Sequence, residues 1–298
     1  MDIFKPALNL VWARTKLVDA KRMKKEKYPN GIKEFRDIPY IEDGSRYHLL
    51  DIYFPENAGV SLPVLIDVHG GGWMYGTKEI NKCYCHHLAK QGFIVVNLNY
   101  RLAGKVLFKD QIKDIFSAFK WISENLESFP ADMNNVFLTG DSAGGHFISL
   151  CAALTKSEAL RKEFDIPYNP LQFNAIGATS PVVDLISPNL ILNVNLRMLL
   201  GSNHKMSPFY KYMKFDEVAV SDMPPFYILT SSGDFVRSQS YKLKKVLDDL
   251  GVPNKLKDWQ LKYNGKRLPH CFAVLDANSR PADVVIKEMA DYFKQYMK

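Results

Sequence analysis

An α/β fold, with a mostly parallel central sheet covered by helices on both faces, is what this sequence predicts. Short runs rich in Val, Ile, Leu and Phe recur at Leu62 to Val68, Phe93 to Asn99, Val136 to Leu138 and Phe226 to Thr230. Helical stretches such as Lys109 to Glu127 separate them. Strands that are apolar along their whole length are buried on both faces, and in alternation with helices they build a parallel sheet. Composition agrees: 298 residues, 47% hydrophobic and 24% charged, describe an ordinary globular chain and exclude collagen-like, coiled-coil or mainly disordered structure. One domain over residues 1–298 is expected.

The elements follow in chain order. Residues 1–30 form a helical segment, because Phe4, Leu8, Val11, Trp12 and Val18 recur near the helical period, with Lys16, Lys21, Arg22, Lys24, Lys25 and Lys27 as a basic flank and Asn30-Gly31 as the stop. Packing against the body of the protein is expected of it, with a membrane surface as the minor alternative. Phe35 to Ile41 and Tyr47 to Phe54 flank the turn Asp43-Gly44-Ser45 and read as an antiparallel hairpin. No run approaches the roughly 18 apolar residues of a spanning helix, and the N-terminal apolar run is too short for a signal peptide. The four cysteines read as thiols, so a cytoplasmic location is expected. A net charge of +7 is spread along the chain without a nucleic-acid motif, so no nucleic-acid partner is expected.

Chemistry is sought where the strands end, since ligands of such sheets sit beyond the carboxyl edge. The run Val136-Phe137-Leu138-Thr139 leads into Gly140-Asp141-Ser142-Ala143-Gly144-Gly145 and then a helix-like stretch from Phe147. A Gly-x-Ser-x-Gly turn between strand and helix holds the serine hydroxyl exposed at the top of a sheet, and the turn is tight enough to require glycine on both sides. Leu65-Ile66-Asp67-Val68 likewise ends in His69-Gly70-Gly71-Gly72-Trp73. Acyl transfer builds negative charge on a carbonyl oxygen, and the unshielded N–H groups of Gly71 and Gly72, with that of Ala143, would stabilise it. His69 is expected to hold this loop. A phosphate-binding reading fails, because the lysine and Ser/Thr of a P-loop are missing.

An activated serine needs a base and an orienting carboxylate, which in such sheets follow in the order Ser, Asp or Glu, His. Asp234 stands just past the strand Phe226 to Thr230, whereas Asp248 and Asp249 sit on the following helix and Asp258 in the next strand-like stretch. His270 is the one histidine beyond Asp234. Ser142, His270 and Asp234 are therefore the expected catalytic residues.

His-Gly-Gly-Gly-Trp at 69 to 73, Gly-Asp-Ser-Ala-Gly-Gly at 140 to 145, Gly233-Asp234 and His270-Cys271-Phe272, in this order, resemble the α/β-hydrolase esterases and lipases related to hormone-sensitive lipase. The resemblance spans about residues 45 to 297. It departs at Asp234-Phe235-Val236, where the family usually has Asp-Pro-Leu, and at Cys271, where glycine is common. By the same resemblance Asp51 and Asp114 are structural hydrogen-bonding residues.

Cys83-Tyr84-Cys85-His86-His87 offers soft ligands, but on a helix from Glu79 to Gln91 they do not converge, so no metal site is expected. Residues 185–221 interrupt the strand and helix alternation, running through Leu185-Ile186-Ser187-Pro188, Leu190 to Leu200 and Met206 to Tyr212, and are expected to form a small cap. Leu192, Met198, Leu199, Met206 and Phe209, with Trp73, Met74 and Tyr75, would line an apolar acyl pocket. The expected function is hydrolysis of short to medium acyl esters through an acyl-enzyme, with a small-molecule ester as partner and no cofactor. The alternatives are an amidase or arylformamidase on the same scaffold, or a non-catalytic ligand receptor.

Overall fold

The apolar runs form strands of one sheet. The hairpin consists of β1 (Ile32–Pro39) and β2 (Leu49–Pro55); β3 (Leu62–Val68), β4 (Ile94–Leu98), β5 (Ala131–Asp141), β6 (Ala175–Thr179), β7 (Phe226–Ser231) and β8 (Asn254–Trp259) follow. Their spatial order is β1-β2-β4-β3-β5-β6-β7-β8. Only β1 with β2 and β2 with β4 run antiparallel; the remaining neighbours are parallel. The computed structural model describes residues 5–59, 61–168, 170–186 and 190–298, apart from the side chains of 5–9 and 190–193. Phe4, Ser187, Pro188 and the side chains of Leu8 and Leu192 therefore lie outside the described residues.

Period-two alternation divides the strand residues between two apolar layers. Val64, Ile66 and Val68 of β3 join Ile94, Val96 and Leu98 of β4 on one face, under α3 (Phe108–Asn125), α4 (Ala143–Lys156) and α7 (Arg237–Asp249). Leu65, Val95, Phe137, Tyr227 and Leu229 face the other way, under α2 (Lys82–Lys90) and α9 (Arg280–Lys294). Asp67 and Asp141 continue this second set of positions, so their carboxylates enter the interior beneath α2.

The N-terminal helix α1 (Lys5–Met23) stops short of the expected Asn30-Gly31 boundary. Tight turn bonds from Lys25 N to Arg22 O and Glu26 N to Met23 O close it, and Pro29 disfavours helical backbone at Tyr28. Strand β6, Ala-Ile-Gly-Ala-Thr, was hidden by its small residues. Gly177 has a physical role there, because a Cβ on it would come within 2.6 Å of Met289 Sδ and 2.8 Å of Phe293 Cζ from α9. Between β6 and β7 the chain forms α6 (Leu190–Leu200) and short 3-10 turns at His204–Met206, Tyr210–Met213 and Phe215–Glu217. Among the described residues no helix is long and apolar enough to cross a membrane.

Candidate active site

Three parallel strands deliver the chemistry to one edge. In register, Val68 of β3 pairs Gly140 of β5, so His69-Gly70 and Asp141-Ser142 leave the sheet side by side. Ser142 takes φ 51° and ψ −112° before α4 begins, a conformation a non-glycine residue holds only when its surroundings enforce it. Gly144 shows what enforces it: a Cβ there would lie 2.0 Å from Val68 O, so the turn rests directly on the end of β3.

Ser142 Oγ lies 2.9 Å from His270 Nε2, and His270 Nδ1 lies 2.8 Å from Asp234 Oδ1. The Asp234 carboxylate is buried and also accepts from Thr230 Oγ1 at 3.0 Å and from the Val236 N–H at 2.9 Å. Burial pushes its pKa up, but the hydrogen bond and charge of His270 outweigh this and hold it below the ordinary aspartate value. The histidine loop is fastened to the sheet edge: Gly233 bridges to Pro269, Ser231 Oγ donates to Leu268 O at 2.8 Å, and the Cys271 N–H donates to Ser180 Oγ at 3.1 Å. Cys271, at φ 52°, stands in the left-handed region that glycine favours. Nothing in the sequence marks Ser180 or Ser231 for this role, since a lone serine carries no positional signal. Asp258 is elsewhere, on Arg237 and Tyr241.

Gly71 and Gly72 both have positive φ, at 112° and 56°. Among the described residues, the N–H groups of Gly71, Gly72 and Ala143 donate to no protein acceptor. Gly70 is held from the side, its N–H donating to Asp141 Oδ1 at 2.9 Å. His69 stacks on Tyr100 at 4.4 Å between ring centroids and has Nδ1 2.7 Å from Gly70 O, so it braces the loop. Tyr75 is stacked by Trp12 of α1 at 5.3 Å with a 1° interplanar angle, and its hydroxyl donates to Asp19 at 2.8 Å. A Cβ on Gly72 would meet the Trp12 ring at 3.0 Å, so the N-terminal helix sits directly on the glycine loop.

The residues expected to line an acyl pocket separate into different environments. Trp73 is 2% exposed, and its indole N–H donates to His146 Nδ1 at 3.2 Å. His146 in turn has Nε2 2.9 Å from Tyr212 O, and burial holds its pKa down at about 4, so a neutral ring ties the glycine loop to the segment after α6. Trp73 is thus committed to packing rather than to an open pocket wall, because its one polar atom needs a buried partner. Leu199 is fully buried, and Phe209 packs on Phe164 and Tyr212. Met206 is 85% exposed and encloses nothing. Met74 is partly buried against the core, as is Met198, whose Cε would lie 2.5 Å from a Cβ at Gly104. An aromatic group not anticipated is Phe235, 80% exposed with its ring 4.5 Å from that of His270.

The Cys83 to His87 cluster is dispersed among separate partners. His86 bonds Glu34 and Lys82 O, His87 bonds Asn278, Cys83 bonds Lys27 O, and Cys85 is buried. Asp51 receives Lys78 Nζ at 2.9 Å, and Asp114 is clasped by Arg101 through Nε at 2.8 Å and Nη2 at 2.6 Å.

The BD-FAE family matches residues 50–247. The chain is similar to the versiconal hemiacetal acetate esterase of Dothistroma septosporum, 26% identical over 246 residues that cover 72% of this chain and 68% of that protein. It is 27% identical to the carboxylesterase NlhH of Mycobacterium tuberculosis over 241 residues, 75% of this chain and 72% of that one. Its fold superposes with a TM-score of 0.92 on the crystal structure of esterase B from Lactobacillus rhamnosis inhibited by a C4-C4 tributyrin phosphonate, at 29% identity, covering 99% of this chain and 95% of that one.

Proposed function

The chain belongs to the BD-FAE family and is a carboxylesterase on the α/β-hydrolase scaffold, and from that premise we propose that it cleaves short to medium acyl esters through an acyl-enzyme on Ser142. The observation that carries this reading is the continuous relay from Asp234 through His270 to Ser142, with both hydrogen bonds under 3 Å.

His270 Nε2 takes the Ser142 proton as Oγ attacks the ester carbonyl, and the carbonyl electron pair moves onto oxygen. The N–H groups of Gly71, Gly72 and Ala143 receive that oxyanion. Collapse breaks the bond to the alcohol, which leaves with the proton from His270. Water, deprotonated by the same histidine, then attacks the acyl-enzyme and frees the acid and Ser142. Asp234 keeps the imidazole in the required tautomer and stabilises the imidazolium.

α6 and the 3-10 turns before β7 act as the cap, and Trp12 of α1, stacked on Tyr75 of the glycine loop, completes the wall. The tributyrin phosphonate bound to esterase B of Lactobacillus rhamnosis supports a similar acyl range for this chain. Ser142→Ala tests the assignment: hydrolysis of 4-nitrophenyl butyrate and labelling by a fluorophosphonate should both disappear. Labelling that persists would identify another nucleophile.

A further inference from the structure

Two carboxylates lie buried behind the glycine loop, and one amide joins them. Asn81 Nδ2 is 2.9 Å from Asp67 Oδ2 and 2.9 Å from Asp141 Oδ1. Asp67 and Asn81 are essentially inaccessible and Asp141 is nearly so. Asn81 occupies the N-cap position of α2, yet its side chain makes no capping bond. An asparagine there ordinarily accepts a helix N–H, a contact whose loss costs about 1 kcal/mol. Here the capping bond is forgone and the amide hydrogens go to the two acids.

Two ionised carboxylates cannot share a buried site without a cation. Their hydrogen bonds distinguish them. Asp141 Oδ1 accepts from both Gly70 N and Asn81 Nδ2. Asp67 accepts from Asn81 on Oδ2, and its other polar neighbour is the weakly donating Cys85 thiol. We propose that Asn81 and Asp67 are positioning residues for the oxyanion loop: Asp67 carries a proton, Asn81 bridges it to Asp141, and Asp141 holds the Gly70 N–H so that Gly71 and Gly72 face the reacting carbonyl.

The groups facing Asp67 agree with this arrangement. Asp141 of β5 approaches it from the sheet, Cys85 and Tyr84 from α2, and Tyr100 from beyond β4, and none of them supplies positive charge at neutral pH. Burial first, and then the charge of Asp141, push the Asp67 carboxyl up to about 8. Alkaline solution should therefore ionise Asp67, set it against Asp141 across Asn81, and loosen the hold on Gly70.

The proposal rests on Ser142 being the nucleophile, so rates are normalised to sites titrated with a fluorophosphonate, and Ser142→Ala serves as the blank. Residual turnover in that blank would overturn the Ser142 reading rather than this one. Asn81→Ala should lower kcat by about 10- to 100-fold with KM changed less than about threefold, since a misdirected donor weakens the transition state more than the bound ester. The ratio of kcat at pH 9.5 to kcat at pH 7 should be well below one in the wild type and should rise in Asp67→Asn, an isostere that cannot ionise. An Asp67→Asn ratio equal to that of the wild type would overturn the proton assignment, and unchanged kcat per titrated site in Asn81→Ala would overturn the positioning role. If Asn81→Ala does not fold, the Asp67→Asn ratio decides by itself.

Discussion

Ser142 stands at the end of β5 in a backbone conformation that its neighbours impose, and each further member of the relay depends on a comparable constraint. The most informative of these is Asp234, buried and bonded on both oxygens. Asp234→Asn should lower kcat by up to about 10⁴, because an amide favours the wrong imidazole tautomer. Asp258→Asn should leave kcat near the wild-type value, since that carboxylate is spent on Arg237. The acid limb of stability tests the same residue by another route. The folded pKa of Asp234 is depressed, so its contribution is fully present above the ordinary aspartate value of about 3.9 and is lost as pH falls through the lower folded value. Thermal melts from pH 5 down to pH 2.5 should fall more steeply for the wild type than for Asp234→Asn, and parallel curves would contradict the depressed pKa.

Among the elements, α1 carries the clearest division between expectation and outcome. Its helical spacing was legible, but the partner of Trp12 was not, because Tyr75 and Gly72 lie some 60 residues away in sequence. With Trp12 stacked on one side of the glycine loop and Trp73 bonded to His146 on the other, two elements remote in the chain grip the same turn. Trp12→Ala should cost about 1 to 2 kcal/mol, less than the 3 to 5 of a fully buried tryptophan because the ring is only partly covered. The same variant should change the ratio of kcat/KM between hexanoyl and acetyl esters by about threefold or more if α1 walls the acyl site. An unchanged ratio with the same stability loss would restrict Trp12 to packing. Strand β6 is the contrasting case: its small residues weaken the strand signal, and Gly177 is small because α9 packs directly on it.

Over the whole molecule, the sheet separates two apolar layers, and the cap proposed above consists of α6 and the turns that precede β7. The 11 residues of α6 and its short 3-10 neighbours provide little length with which to enclose a long chain. Further methylenes would stay in water and forgo the roughly 0.8 kcal/mol that each gains on burial. Activity on 4-nitrophenyl esters should therefore peak between acetyl and octanoyl and fall beyond; a preference for long-chain triglyceride emulsions would refute the short-acyl range.

The sequence by itself determined the strand and helix alternation, the Ser142 turn, the glycine loop and the order Ser142, Asp234, His270. Each of these is a local demand: a sharp turn needs glycine two residues to either side of the serine, and a strand buried on both faces must be apolar throughout. Tertiary structure alone decided that Trp73 turns inward to His146, that Phe235 covers His270, and that Asn81 joins Asp67 to Asp141. Such contacts join residues far apart in the chain, and a buried polar atom takes whichever partner the packed sheet brings within reach, so no spacing along the sequence encodes the choice.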